Sequence, residues 1–258
     1  TLNRFSSKVD VLNMPFLLNS HDRVRQVIHG GIAEKIKLAV ESGSQEKLRI
    51  MEFTYSGGFR VMYGSKAIAS VDDLKDARTT ISGTKPVEDF YKSVGAKFIS
   101  NKPFTRTESI DLHRLGKIDI EDSELNRLFV LTQDYPKHLQ NIKFVSETNH
   151  LFYLTTLLAN RKFVDSLPAD LREIFESEVR TLAEGERTFS IQQAQTSKEF
   201  LIRNGVKWIT MSPDNHAKFE AKGRQLWKAY DKDLGPLIKE IEAIVPAAAN
   251  PKLKAMND

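Results

Sequence analysis

The sequence predicts an α/β fold split into two lobes that one long helix braces. Three observations point there. Short β-rich runs alternate with amphipathic helical stretches along the 258 residues. Gly57 and Gly58 separate the β-rich run 48–53 from a second one at 59–63, so the chain can start again in a new direction, as at a crossing between lobes. After Leu167 and Pro168, the residues Leu171, Ile174, Phe175, Val179 and Leu182 recur at helical spacing, and the polar pattern runs on to Asn204 with Gly205 as its stop. A helix of ~35 residues is ~50 Å long, too long for one lobe, and should brace both.

Composition narrows the function classes. A net charge of +4 over this length, with both signs interspersed and no basic cluster interleaved with aromatics, is not a nucleic-acid footprint. The absence of cysteine excludes a disulfide framework and thiol chemistry. No apolar run is long enough to cross a bilayer, and no signal peptide stands in the chain, so a start at Thr1 implies processing or truncation.

In chain order, residues 9–18 read as a buried strand ended by Pro15. An amphipathic helix follows, with Val24, Val27 and Ile28 on one face, halted by Gly30 and Gly31. A second helix over 32–41 turns Ile36, Ala39 and Val40 inward. Ser70 opens a single helical turn with Asp73 as the acidic half of a capping box, and 79–82 reads as a third short strand. Pro86 begins a helix with Val87, Phe90, Tyr91 and Val94 on its stripe, closed by Gly95 before a strand over 96–99. Thr105 or Thr107 opens the next helix, stopped by Gly116. A return crossing spans 144–158, and the long helix follows it. Beyond come a strand at 206–209, a helix carrying Phe219, Leu226, Trp227 and Tyr230, a break at Gly235 and Pro236, a last helix with Leu237, Ile238, Ile241 and Ile244, and a weakly structured tail over 245–251.

This order, with Met14-Pro15-Phe16-Leu17-Leu18, Gly57-Gly58-Phe59-Arg60, Asp73-Leu74-Lys75, Gly95-Ala96, Asn149-His150 and Leu167-Pro168-Ala169-Asp170, resembles the dicarboxylate-binding type of solute-binding protein of tripartite ATP-independent periplasmic (TRAP) transporters. The resemblance implies a bilobal, periplasmic-binding-protein-like α/β fold with lobes joined at a hinge. Residues 1–56 and 153–193 would form lobe I, and 57–152 and 194–258 lobe II. It further implies an additional α/β segment ahead of the residues matched by 1–5, secretion to the periplasm with a signal peptide removed, a small organic anion as ligand, and membrane permease subunits as partners. No cofactor is implied, and no enzyme.

The ligand positions follow from the resemblance residue by residue. Arg60 falls where the family has an arginine assisting the carboxylate clamp; its planar fork suits two parallel hydrogen bonds, the alternative being an interlobe salt bridge or an exposed strand arginine. The clamp arginine itself falls on Thr80, where a hydroxyl offers one neutral bond and forfeits ~1.5–3 kcal/mol. Arg106 is the candidate that compensates, with Arg78 as a weaker one; both also read as solvated surface arginines. Ser123 stands where the family has a ligand-bonding asparagine. His150 is either a direct contact or a structural histidine bonded to backbone. Phe104, Phe152 and Tyr153 either wall the cleft or pack the core.

Enzyme signatures are missing from the chain: no Gly-x-Ser-x-Gly elbow, no Walker loop, no Gly-x-Gly-x-x-Gly helix opening and no histidines at metal-ligand spacing. Glu121, Asp122 and Glu124 read as a solvated charged turn in preference to a site for a hard cation. The competing reading of the whole is a truncated or repurposed paralogue without a competent cleft, acting through protein contacts. The departures at Thr80 and Ser123 motivate it.

Overall fold

The computed structural model describes residues 2–80 and 84–244. Ile81 and Ser82, expected to extend a third strand, and the tail expected over 245–251 lie outside the described residues. The organising element is one strand, β1, Leu48–Gly64. Its first half pairs antiparallel with β6, Phe152–Asn160. Its second half pairs antiparallel with β4, Ile120–Glu124, and with β5, Phe144–Glu147, which carries the parallel β7, Lys207–Thr210. The twin glycines do not end the strand, as expected, but bulge it. Gly57 and Gly58 take φ of +97° and +86°, and the register against β6 shifts between Tyr55 and Phe59.

Each half of β1 has its own core. The first packs Ile50, Phe53 and Phe152 against α1 (His21–Ile28) and α2 (Gly31–Gly43), burying Val24, Val27, Ile36 and Val40. Ser20 caps α1 by accepting from the Arg23 amide at 3.1 Å. The second half buries both faces. Met62 packs with Ile68, Leu74, Phe90 and Ile120, whereas its neighbours Val61 and Tyr63 pack with Leu128, Val145 and Leu201, the alternation a strand imposes. On the Met62 side lies α3, Lys85–Ser93, stopped at Gly95 with φ +79°. Beside it the two-residue strands β2 (Arg78–Thr79) and β3 (Lys97–Phe98) pair in parallel. The Asp73 carboxylate accepts from the Ser70 amide at 2.8 Å, as the capping box requires.

The long helix, α7, is Ala169–Arg203, 35 residues, with Asn204 as C-cap and Gly205 at φ +85°. Its apolar stripe behaves otherwise than expected: Leu171, Ile174 and Leu182 are half or more exposed, and the buried positions are Ala183, Arg187, Ser190, Ala194, Ser197 and Leu201. Unpaired backbone groups of β1 explain this. The Phe53 carbonyl accepts from Arg187 at 2.7 Å, the Tyr55 amide donates to Glu186 at 2.7 Å, and the Gly57 amide donates to Ser190 at 2.5 Å. A strand edge covered by a helix must be satisfied by polar side chains, so the buried stripe is small and polar.

Three more expectations need correction. Residues 9–18 form no strand: Ser7–Asn13 is a 3₁₀ helix, capped by Ser6, and Phe16 has φ +62°. An apolar run of that length fits a buried helical turn as well as a strand. The expected break at Gly235 and Pro236 lies inside α9, Asp231–Glu242. The disruption by Pro236 is confined there to the carbonyl of Lys232, an exposed residue whose carbonyl can turn to water. Near the end of the chain Trp227, Leu234, Leu237, Ile238 and Ile241 join the first core. Finally, 121–124 is no solvated turn but the body of β4, with buried carboxylates. No helix among the described residues is long and apolar enough to cross a membrane.

Candidate functional site

The site is built where β1 crosses from one core to the other. Arg60 is the second residue after the bulge and sits opposite Glu124 in the register with β4. Its guanidinium donates from Nε to Asp122 at 2.7 Å, from Nη1 to Glu124 at 3.1 Å and from Nη2 to the Asp122 carbonyl at 2.7 Å. It also lies 5.1 Å from the centre of the Tyr153 ring. Side-chain exposures of 11% for Arg60, 7% for Asp122 and 2% for Glu124 make this a buried charge cluster. Burial works against every charge here, yet Arg60 and His150 hold the Asp122 carboxyl far below its usual range, and Asp122 and Glu124 raise the Arg60 guanidinium in turn. Of the two readings of Arg60, the salt bridge describes its bonds, while its position remains at the cleft.

Two concave pockets meet at this cluster. One is walled by the second lobe, with Tyr63, Thr80, Phe104, Arg106, Ser109, Glu121, Asp122 and Ser123. The other is walled mostly by the first lobe, with Leu12, Phe53, Tyr153 and Thr155. Arg60 and Arg127 line both. The expected positions Arg60, Thr80, Arg106 and Ser123 therefore converge on one cleft, as do Phe104 and Tyr153. Arg106, at the start of α4 (Arg106–Arg114), is half exposed and bonded to Asp134 at 3.1 Å. Three expectations fall outside the cleft. His150 is 0% exposed and bridges Thr148 at 2.8 Å and Asp122 at 3.3 Å, so it orients Asp122 from behind. Arg78 is committed to Asp119, with bonds of 2.9 and 2.5 Å. Phe152 is core.

Thr80 and Glu121 form a second buried polar group. Glu121 lies opposite Tyr63 in the register. Its carboxylate accepts from the Thr80 hydroxyl at 2.8 Å, the Ser109 hydroxyl at 2.7 Å and the Tyr63 hydroxyl at 2.8 Å, with His113 Nε2 at 3.2 Å. Against the cost of burial, His113, Ser109 and Thr80 bring the Glu121 carboxyl down to about 2, so it is ionised. Burial and Glu121 push the Tyr63 phenol well up, so it keeps its proton. Behind His113, with ring centres 5.4 Å apart, lies His138, buried and without a hydrogen-bond partner among the described residues.

Sequence reasoning missed Arg127, Tyr63, Ser109 and the role of Glu121. Arg127 stands on α5, Leu125–Asp134, is exposed, and makes no salt bridge among the described residues. A cation just after the strand that carries Ser123 was the available signal. Among the described residues no three His, Asp or Glu side chains are placed to hold a metal ion.

Residues 1–233 match the family model described as bacterial extracellular solute-binding protein, family 7. The C4-dicarboxylate-binding periplasmic protein DctP of Vibrio cholerae is 21% identical over 249 residues, which cover 96% of this chain and 70% of that protein. Among solved structures, a TRAP periplasmic solute-binding protein of Shewanella oneidensis with bound succinate superposes with a TM-score of 0.80 at 17% identity, over 93% of this chain and 75% of that one. Another, from Chromohalobacter salexigens with bound D-glucuronate, gives 0.79 at 19% identity, over 91% and 75%. The fold is thus the two-lobed α/β fold of these proteins, with the crossing strand and the bracing helix in place. On the family match over nearly its whole length, the chain belongs to the bacterial extracellular solute-binding proteins of family 7, a family of binding proteins and not of enzymes.

Proposed function

We propose that the chain captures a small organic acid in the cleft between its lobes, closing over it by a hinge at Gly57 and Gly58, and delivers it to the membrane permease subunits of a TRAP-type transporter from the periplasm. It catalyses no reaction. The observation that carries this reading is that Arg60 and Arg127 line both pockets, so the two lobes share one polar cleft that ends in cations. Family membership and structural relatives holding succinate and D-glucuronate support it. Lobe I would comprise the first half of β1, β6, α1, α2 and α9, and lobe II the remainder of the sheet with α3, α4, α5 and α8 (Pro213–Trp227).

The division of labour at the cleft differs from the expectation that Arg60 clamps the ligand. With Asp122 and Glu124 already neutralising it, Arg60 fixes the floor, and the ligand carboxylate meets Arg127 and Arg106 instead. Titration calorimetry of the full chain against short carboxylic acids tests this. Arg127→Gln and Arg106→Ala should each weaken the best acid at least ~tenfold, ~1.4 kcal/mol. Failure of every acid to bind would leave the paralogue acting through protein contacts as the better account.

A further inference from the structure

The wall formed by Thr80, Ser109, Tyr63 and Glu121 has a polarity of its own. An ionised carboxylate only accepts hydrogen bonds, so each hydroxyl bonded to Glu121 must spend its single proton there. Each hydroxyl then has lone pairs alone to offer to whatever occupies the pocket that all four residues line. The high phenol of Tyr63 and the low carboxyl of Glu121 keep these protons in place near neutrality. A second carboxylate against this wall would meet acceptor against acceptor, with a fixed negative charge behind. A hydroxyl or ammonium group would find several oxygens to donate to. Arg106 and Arg127 line the same pocket and give it a cationic side.

We infer that this pocket selects an acid of mixed polarity, with its carboxylate toward Arg127 and Arg106 and a hydrogen-bond donor, hydroxyl or ammonium, against the Thr80, Ser109 and Tyr63 oxygens. The inference rests on the proposed binding function and adds the class of ligand. It also accounts for the departure at Thr80: a hydroxyl stands where the resemblance places a cation, and Glu121 sets an anion beside it, so the wall has changed sign and not merely weakened.

The test is calorimetry on the full chain with ligands that share one carboxylate and one chain length and differ only at the far end: carboxylate, hydroxyl, ammonium or methyl, in series of three to six carbons. The hydroxyl or the ammonium member should bind at least ~tenfold tighter than the dicarboxylate of its length, and whichever of the two binds tighter identifies the donor. The double variant Thr80→Arg with Glu121→Gln should reverse the order in favour of the dicarboxylate. Thr80→Val, which keeps the shape and removes one acceptor, should narrow the donor preference ~threefold or more even if the double variant does not fold. A dicarboxylate or methyl-ended acid binding as tightly as both donor-ended ligands overturns the inference and leaves acid capture standing. Binding by no acid at all overturns both.

Discussion

Replacing Arg60 by methionine removes the cation and keeps much of the aliphatic volume. Two buried carboxylates then lose their shared cation, and among the described residues Asp122 keeps His150 and Glu124 keeps the Ser56 hydroxyl at 3.3 Å. Removing one partner of a buried ion pair costs about 3–5 kcal/mol, because the remaining charge has lost its compensation. In a chain of this size each kcal/mol moves the melting temperature by ~2–4 °C, so a fall on the order of 10 °C is expected. The pH dependence supplies a second reading. In the native protein Asp122 has a depressed carboxyl, so its contribution is complete above the unfolded value near 3.8 and is lost only as pH falls below that. In the variant the orphaned carboxylates can escape by taking up a proton, so the deficit should shrink as pH falls from 7.5 toward 5. Urea midpoints across that range measure both effects, and Arg60→Met with Asp122→Asn and Glu124→Gln should recover more than half of the loss. A loss below ~1 kcal/mol at pH 7.5, with no pH trend, refutes the reasoning and returns Arg60 to the role of an accessible ligand clamp.

His138 should set the acid limb of stability. Burial first, and the neighbouring His113 next, lower its imidazole to about 4, whereas the unfolded chain binds that proton near 6.5. The unfolded state therefore takes up more protons between these values, and stability complete above pH 6.5 should fall by about 2–3 kcal/mol as pH drops toward 4. His138→Leu should flatten that limb in urea titrations at stepped pH, and equal slopes in the two proteins would falsify the assignment. Gly58→Ala should cost ~1–2 kcal/mol for its left-handed backbone alone, and its new methyl would lie 3.1 Å from the Ile191 side chain and 3.4 Å from His21. A melting temperature within 1 °C of the parent, on the order of experimental scatter, would show that the bulge tolerates a side chain.

Features written locally in the chain were legible. The span of α7 follows from Leu167-Pro168 at one end and Asn204-Gly205 at the other, because proline and glycine act within a turn of where they stand. The caps at Ser70 and Thr105 were readable for the same reason. What escaped was written in partners distant along the chain. The run from Glu121 to Glu124 looks like a solvated turn until Arg60, Thr80, Ser109, His113 and His150 arrive from elsewhere in the chain to satisfy it. The exposed stripe on α7 escaped too, since helical spacing says which residues share a face but not which face meets the protein. At the site, four of the five expected residues reach the cleft, whereas Arg127, a cation with no salt bridge among the described residues, lies in a helix that local signals left unread.

The continuity of β1 through both cores has a mechanical consequence. Ladder hydrogen bonds stiffen the ribbon at either end, and between Tyr55 and Phe59 none of its residues has a ladder partner on β6. Torsion applied by either half must therefore collect in those few residues. There the Gly57 amide is tethered to Ser190, whose carbonyl is in turn gripped by Asn126 at 2.9 Å. The middle of the long helix would thus be the bearing on which such a twist turns, and cutting back the Ser190 side chain, which removes the tether, is the way to loosen it.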